Sequence, residues 1–87
     1  MTDDGLERRR KRLLYLGQHR GFKEADLVIG TFVTRHLATM GAAELDQLEA
    51  LLALPDHDIY DWYLGRRPLP GAHDSAVMRR LLEFRLH

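Results

Sequence analysis

Apolar residues recur at spacings of three and four through most of the chain, and no stretch alternates apolar with polar residues long enough to describe a half-buried strand. The pattern predicts five helices. The first spans residues 6–16 and gathers Leu13, Leu14, Tyr15 and Leu16 in its second half, with Gly17 as its stop. The second spans residues 22–40 and carries Val28, Ile29, Phe32, Val33 and Leu37, a wide stripe that makes it the central helix. Gly30 within it gives up about 1 kcal/mol of helix propensity relative to alanine, which points to close packing by a neighbouring helix.

Gly41 followed by Glu44 reads as a weakened capping box, because glycine has no side-chain acceptor. The third helix then covers residues 42–54, with Leu45, Leu48, Leu51 and Leu52 on its buried side. Pro55 interrupts it, and Asp56 and Asp58 suit the positive end of a short fourth helix carrying Ile59, Trp62 and Tyr63 as core residues, closed by Gly65. The Arg66 to Gly71 stretch, with Pro68 and Pro70, is a stiff extended link. Asp74 then caps a last helix bearing Val77, Met78, Leu81, Leu82 and Phe84. Short links favour antiparallel neighbours. The expected product is an all-α, compact five-helix antiparallel bundle, one domain over residues 6–86 after a disordered start at 1–5, with a radius of gyration of ~12 Å.

Composition narrows the function. Across 87 residues, thirteen Lys and Arg balance thirteen Asp and Glu, so a generic polyanion binder is disfavoured. The absence of cysteine excludes disulfides, thiolate metal sites and cysteine nucleophiles. The acidic opening, Met1 to Gly5, is neither a secretory signal nor an Arg-rich transit peptide, and no apolar stretch reaches the roughly 18 residues of a membrane span. A cytoplasmic location in a bacterium is expected, or the mitochondrial matrix for a eukaryotic precursor trimmed before Met1.

Candidate chemistry is sparse. Arg8, Arg9, Arg10, Lys11 and Arg12 form a cationic run that is either a solvated face or a patch for an acidic partner; a nucleic-acid regulator is the alternative, without an accompanying recognition motif. His57 and Asp61 have the spacing of two ligands on one helix face, but no third ligand is evident, so no metal is expected. No catalytic triad, P-loop or dinucleotide fingerprint is found, and an independent enzyme has no support.

The informative segment is Arg20-Gly21-Phe22-Lys23-Glu24-Ala25-Asp26, where a guanidinium and two carboxylates flank a glycine at the start of an apolar helix. Glu24 and Asp26 suit the helix N-terminus, and capping alone explains them. A glycine also lets the backbone bend or another surface approach, and Arg20 can make a bidentate contact with a carboxylate or phosphate. These properties suit docking.

This segment resembles the small assembly factors, SdhE-type proteins, that promote covalent attachment of FAD to the flavoprotein subunit of succinate dehydrogenase. Arg20, Gly21, Glu24 and Asp26 match that family's Arg-Gly-x-x-Glu-x-Asp pattern. Leu13-Leu14-Tyr15, Phe32, His36-Leu37, Glu44-Leu45 and the stretch from Leu54 through Pro55 and Asp56 to Trp62 are similar in order and spacing, over residues 8–86. Phe22 stands where methionine is frequent, His19 where a basic residue is common, and Gly41 where a hydroxyl cap is usual. The resemblance implies a bundle that binds the immature flavoprotein subunit, and in many bacteria that of fumarate reductase, through Arg20, Gly21, Phe22, Glu24 and Asp26. It implies an assembly chaperone, monomeric when free, with no catalytic residues and no cofactor of its own, acting on FAD held by the partner. An antitoxin-like protein-binding module is the other reading the same family admits.

Overall fold

The computed structural model describes residues 3–86. Five α-helices follow one another, α1 (Asp3–Gln18), α2 (Lys23–His36), α3 (Ala42–Leu52), α4 (Asp56–Tyr63) and α5 (Ala76–Glu83), with short 3-10 turns at Leu37–Thr39 and Gly71–His73. The all-α bundle is as expected, and its radius of gyration is 12.6 Å.

Several helix ends differ from the sequence expectation. Helix α1 already includes residues 3–5, part of the expected disordered start, while residues 1 and 2 lie outside the described residues. Gly17 does not stop it. A Cβ at Gly17 would stand 2.8 Å from Val33 Cγ2, so the glycine serves as a contact point where α2 crosses close by. Gly30 on α2 completes that crossing, because its own Cβ would meet the Gly17 carbonyl at 3.3 Å; the close packing read from Gly30 is realised. Beyond His36 the second helix tightens into the 3-10 turn and turns extended at Met40. The last helix is capped by Ser75, whose Oγ accepts from the Met78 amide at 3.1 Å, and not by Asp74. Asp74 stands one residue too early for that geometry and takes a fork of bonds at 2.6 and 2.7 Å from Arg79. Gly65 closes α4 as expected, in the left-handed region at φ 75°.

Helix α1 runs antiparallel to α2: Gln18 reaches Thr34 at one end of the pair and Arg10 reaches the Met40 carbonyl at the other. Ion pairs from Arg9 to Asp46 and Glu49 and from Arg12 to Glu49 lay α3 beside α1 in the same sense. Bonds from Arg80 to Glu44 and from the Val77 amide to Gln47 set α5 antiparallel to α3. The shared core is Leu13, Ile29, Phe32, Val33, Leu45, Leu48, Ile59, Val77, Met78 and Leu81, all buried. Each such large side chain contributes roughly 1.5–3 kcal/mol by leaving water. Trp62 is buried as expected, while Tyr63 is only half-buried and donates its hydroxyl to the Phe84 carbonyl at 2.7 Å.

Candidate functional site

The turn between α1 and α2 lies against the link between α3 and α4, and here four helix ends meet. Helix C-termini present carbonyls without partners, and a cation is favoured beside them. Arg20 fills that position. Its Nη1 donates to the Leu16 carbonyl at the end of α1 at 3.0 Å, and its Nη2 donates to the Leu52 carbonyl at the end of α3 at 3.0 Å. Its Nε donates to Asp56 Oδ1 at 2.6 Å, in the first turn of α4. The Arg20 side chain is only 8% exposed and that of Asp56 17%, so the pair is well shielded from water and from salt.

The same carboxylate also holds the backbone. Asp56 Oδ2 accepts from the Gly21 amide at 2.6 Å, and the Arg20 amide donates to Asp26 on the first turn of α2. The backbone at Gly21 is not in the left-handed region, since Gly65 alone has positive φ among the described residues. Space is what requires glycine: a Cβ there would lie 2.9 Å from Asp56 Oδ2. That oxygen is already committed, and its neighbour is bound to Arg20, so the carboxylate cannot yield without loosening the clamp.

The five expected contact residues are thus brought together, but they face different ways. Arg20 does not offer its guanidinium to an outside carboxylate or phosphate, because the carbonyl ends of two helices and Asp56 consume it. Asp26 turns part of its charge inward to the Arg20 amide. Phe22 is half-buried, stacked on His57 with ring centroids 4.8 Å apart and set edge-on to Tyr60 at 5.4 Å. Gly21 and Glu24 remain exposed. What the turn offers is therefore an exposed glycine backbone held from below by Asp56, and beside it an exposed carboxylate on the first turn of α2.

Asp56 is the residue that sequence reasoning missed as part of this site. It was legible as a first-turn acid and as part of the family-like Leu54 to Trp62 stretch, but its partners lie 35 and 36 positions away. The cationic run is also less free than the sequence suggests. Arg9 and Arg12 pair with acids of α3, and Arg10 caps the Met40 carbonyl at 2.8 Å. The hydrogen bond from Arg9, with help from Arg12, holds the Glu49 carboxyl below its ordinary pKa. Glu44 is lowered likewise, first by Arg80 and then by the Gly41 amide, and Asp74 by Arg79. His57 and Asp61 gain no third metal ligand among the described residues, and no helix there is long and apolar enough to cross a membrane.

Comparison with known proteins gives the arrangement its context. A family model described as "flavinator of succinate dehydrogenase" matches residues 11–85. The chain is 41% identical over 83 residues to the "FAD assembly factor SdhE" of Acetobacter pasteurianus, an alignment covering 95% of this chain and 76% of that protein. It is 40% identical over 81 residues to the mitochondrial "succinate dehydrogenase assembly factor 2-B" of Drosophila persimilis, covering 91% of this chain and 52% of that one. The 2-A factor of Drosophila mojavensis matches at the same identity, and the chain spans about half the length of these fly relatives. The clamp around Arg20, Gly21, Asp26 and Asp56 lies wholly inside the matched region, and on that match the chain belongs to the flavinator of succinate dehydrogenase family.

Proposed function

We propose that this protein binds the immature flavoprotein subunit of succinate dehydrogenase, and that of fumarate reductase where one is present, and promotes covalent attachment of FAD to it. Family membership supports the reading, and the observation that carries it here is the clamp. Asp56 takes the Arg20 Nε and the Gly21 amide at 2.6 Å on its two oxygens, which fixes the turn at Gly21 beside the exposed Glu24 and preorganises a contact before any partner arrives.

In this reading the flavin is the partner's cargo, and the bond forms between a histidine of that subunit and the 8α-methyl of the ring. The small protein contributes no reacting group. Gly21 lets the subunit's backbone come close, and Glu24 orders a cationic side chain on it. If binding favours the attachment-competent arrangement by ~2 kcal/mol, a minor arrangement becomes populated and attachment speeds roughly thirtyfold.

The test is co-expression of the flavoprotein subunit with and without this protein, followed by fluorescence of the denatured subunit in a gel. Covalent flavin should rise sharply with the protein present. Equal yellow bands in both lanes, or no complex between the purified components, would refute the proposal.

A further inference from the structure

Ion pairs absorb most arginines of the chain: those from Arg9 to Arg20, then Arg66 and Arg67, and Arg79 with Arg80 all hold carboxylates. Two others lie over aromatic rings instead. Arg35, in the last turn of α2, stands over Phe84 at 5.5 Å from the ring centroid, and Arg85, just after α5, stands over Tyr63 at 5.2 Å. Among the described residues neither has a carboxylate within ion-pair distance. Arg85 also donates Nη1 to the Phe84 carbonyl at 2.8 Å, so the two guanidiniums flank one residue.

Phe84 is itself fixed. Its ring stands edge-on to the buried Phe32 at 5.6 Å and to His36 at 6.0 Å, and its carbonyl accepts from the Tyr63 hydroxyl at 2.7 Å. A guanidinium laid on a held ring loses rotamer freedom, yet its in-plane N–H groups stay available. The dipole of α2 favours a cation in the last turn, but Arg35 makes no side-chain hydrogen bond to a carbonyl there among the described residues, so capping does not consume its donors. Around Phe84 the surface forms a concavity of about 490 Å³, lined also by His36, Arg80 and Glu83. Arg80 is drawn to Glu44. Arg35 and Arg85 against Glu83 leave a surplus of positive charge on a chain whose net charge is zero.

We propose that this face docks an acidic segment of a partner protein, with carboxylates of that segment taken by Arg35 and Arg85 on either side of Phe84. The occupant follows from the chemistry. A guanidinium fork meets a carboxylate through two parallel bonds, and a fork already oriented gives up little freedom in doing so. Two such cations are far fewer than the on the order of 6–10 phosphate contacts that carry nucleic-acid affinity, and a neutral chain exerts no long-range pull on a polyanion. Phosphate sites draw on amides at helix N-termini, whereas α2 and α5 both bring their C-terminal ends here. The inference goes beyond the function proposed above and needs neither the flavoprotein subunit nor the turn at Gly21.

The experiment titrates the full chain, labelled with nitrogen-15, with an acetylated hexaglutamate peptide, and with hexaglutamine as control. The glutamate peptide should shift the amides of His36, Phe84 and Arg85 and the side-chain Nε–H signals of Arg35 and Arg85 to saturation, and the glutamine peptide should not. Arg35→Gln and Arg85→Gln should each weaken binding roughly fivefold or more. Both side chains are exposed, and an unchanged melting temperature establishes that the fold is intact. Arg35→Lys, which keeps the charge and loses the fork, should weaken it as well. Lys11→Gln, exposed on α1, should bind as the parent does. The proposal is overturned if no saturable shift appears, if Lys11→Gln loses as much as Arg35→Gln, or if Arg35→Lys binds normally. It is also overturned if inorganic phosphate at equal concentration reproduces the shifts, or if a single-stranded oligonucleotide displaces the peptide.

Discussion

Asp56 and Gly21 are locked together across 35 positions of sequence: the carboxylate accepts the glycine amide at 2.6 Å, and a side chain at position 21 would stand 2.9 Å from that same oxygen. Replacement of Gly21 by arginine should displace Asp56 and open the turn. The helices should persist by circular dichroism with a loss of about 1–3 kcal/mol, while the complex with the flavoprotein subunit disappears in pull-down. A retained complex would show that the turn is not the contact.

Removing the other side of the clamp should cost more. Asp56→Ala leaves the Arg20 charge, 8% exposed, without its carboxylate, and breaking such a shielded pair costs roughly 3 kcal/mol or more. Urea unfolding checks the value. Arg20→Ala combined with Asp56→Ala should be less damaging than the sum of the two, by about 1 kcal/mol or more, because they share one interaction.

Glu24→Ala should separate stability from function. Glu24 is exposed, so its loss should change stability by no more than about 0.5 kcal/mol, while covalent flavin on the partner falls in the in-gel assay. If stability and flavin fall together, Glu24 acts only as a first-turn acid of α2.

Trp62→Ala provides the opposite case. The ring is 7% exposed, and truncation should cost about 3–5 kcal/mol by opening a cavity. Flavin attachment should then fail only in proportion to the unfolded fraction, and lowering the temperature should restore it.

Acid should weaken the bundle in a defined direction. Glu49, Glu44 and Asp74 are all held below their ordinary pKa by arginine partners. Their contribution is complete above the unfolded carboxylate value, about 4, and is lost as the pH falls through the lower folded values. The melting temperature should be level between pH 6 and 8 and decline below about pH 4.5. Glu49→Gln should melt lower at neutral pH and show a shallower acid decline, and an unchanged slope would remove Glu49 from the account.

Most helices were legible because their apolar spacing is local information. Val28, Ile29, Phe32 and Val33 are buried as that spacing requires. Helix ends were less so. Gly17 looked like a stop, and only the presence of Val33 beside it makes it a packing position. Ser75 and Asp74 are both good caps, and backbone geometry chose between them. The turn at Gly21 stands out in the sequence by its glycine and its charges, yet Arg20 reads there as facing outward. An arginine usually does; here the carbonyls of Leu16 and Leu52 converge with Asp56 to hold it inside, and no local pattern announces a convergence of residues so far apart in the chain.

The Arg20–Asp56 bond joins positions 36 apart and gathers the ends of α1 and α3 with the first turn of α4. Contacts of such separation close only after the intervening chain has collapsed. A copy still emerging from the ribosome, before Asp56 is available, cannot make this bond, so the turn at Gly21 takes its final form only once α4 is in place.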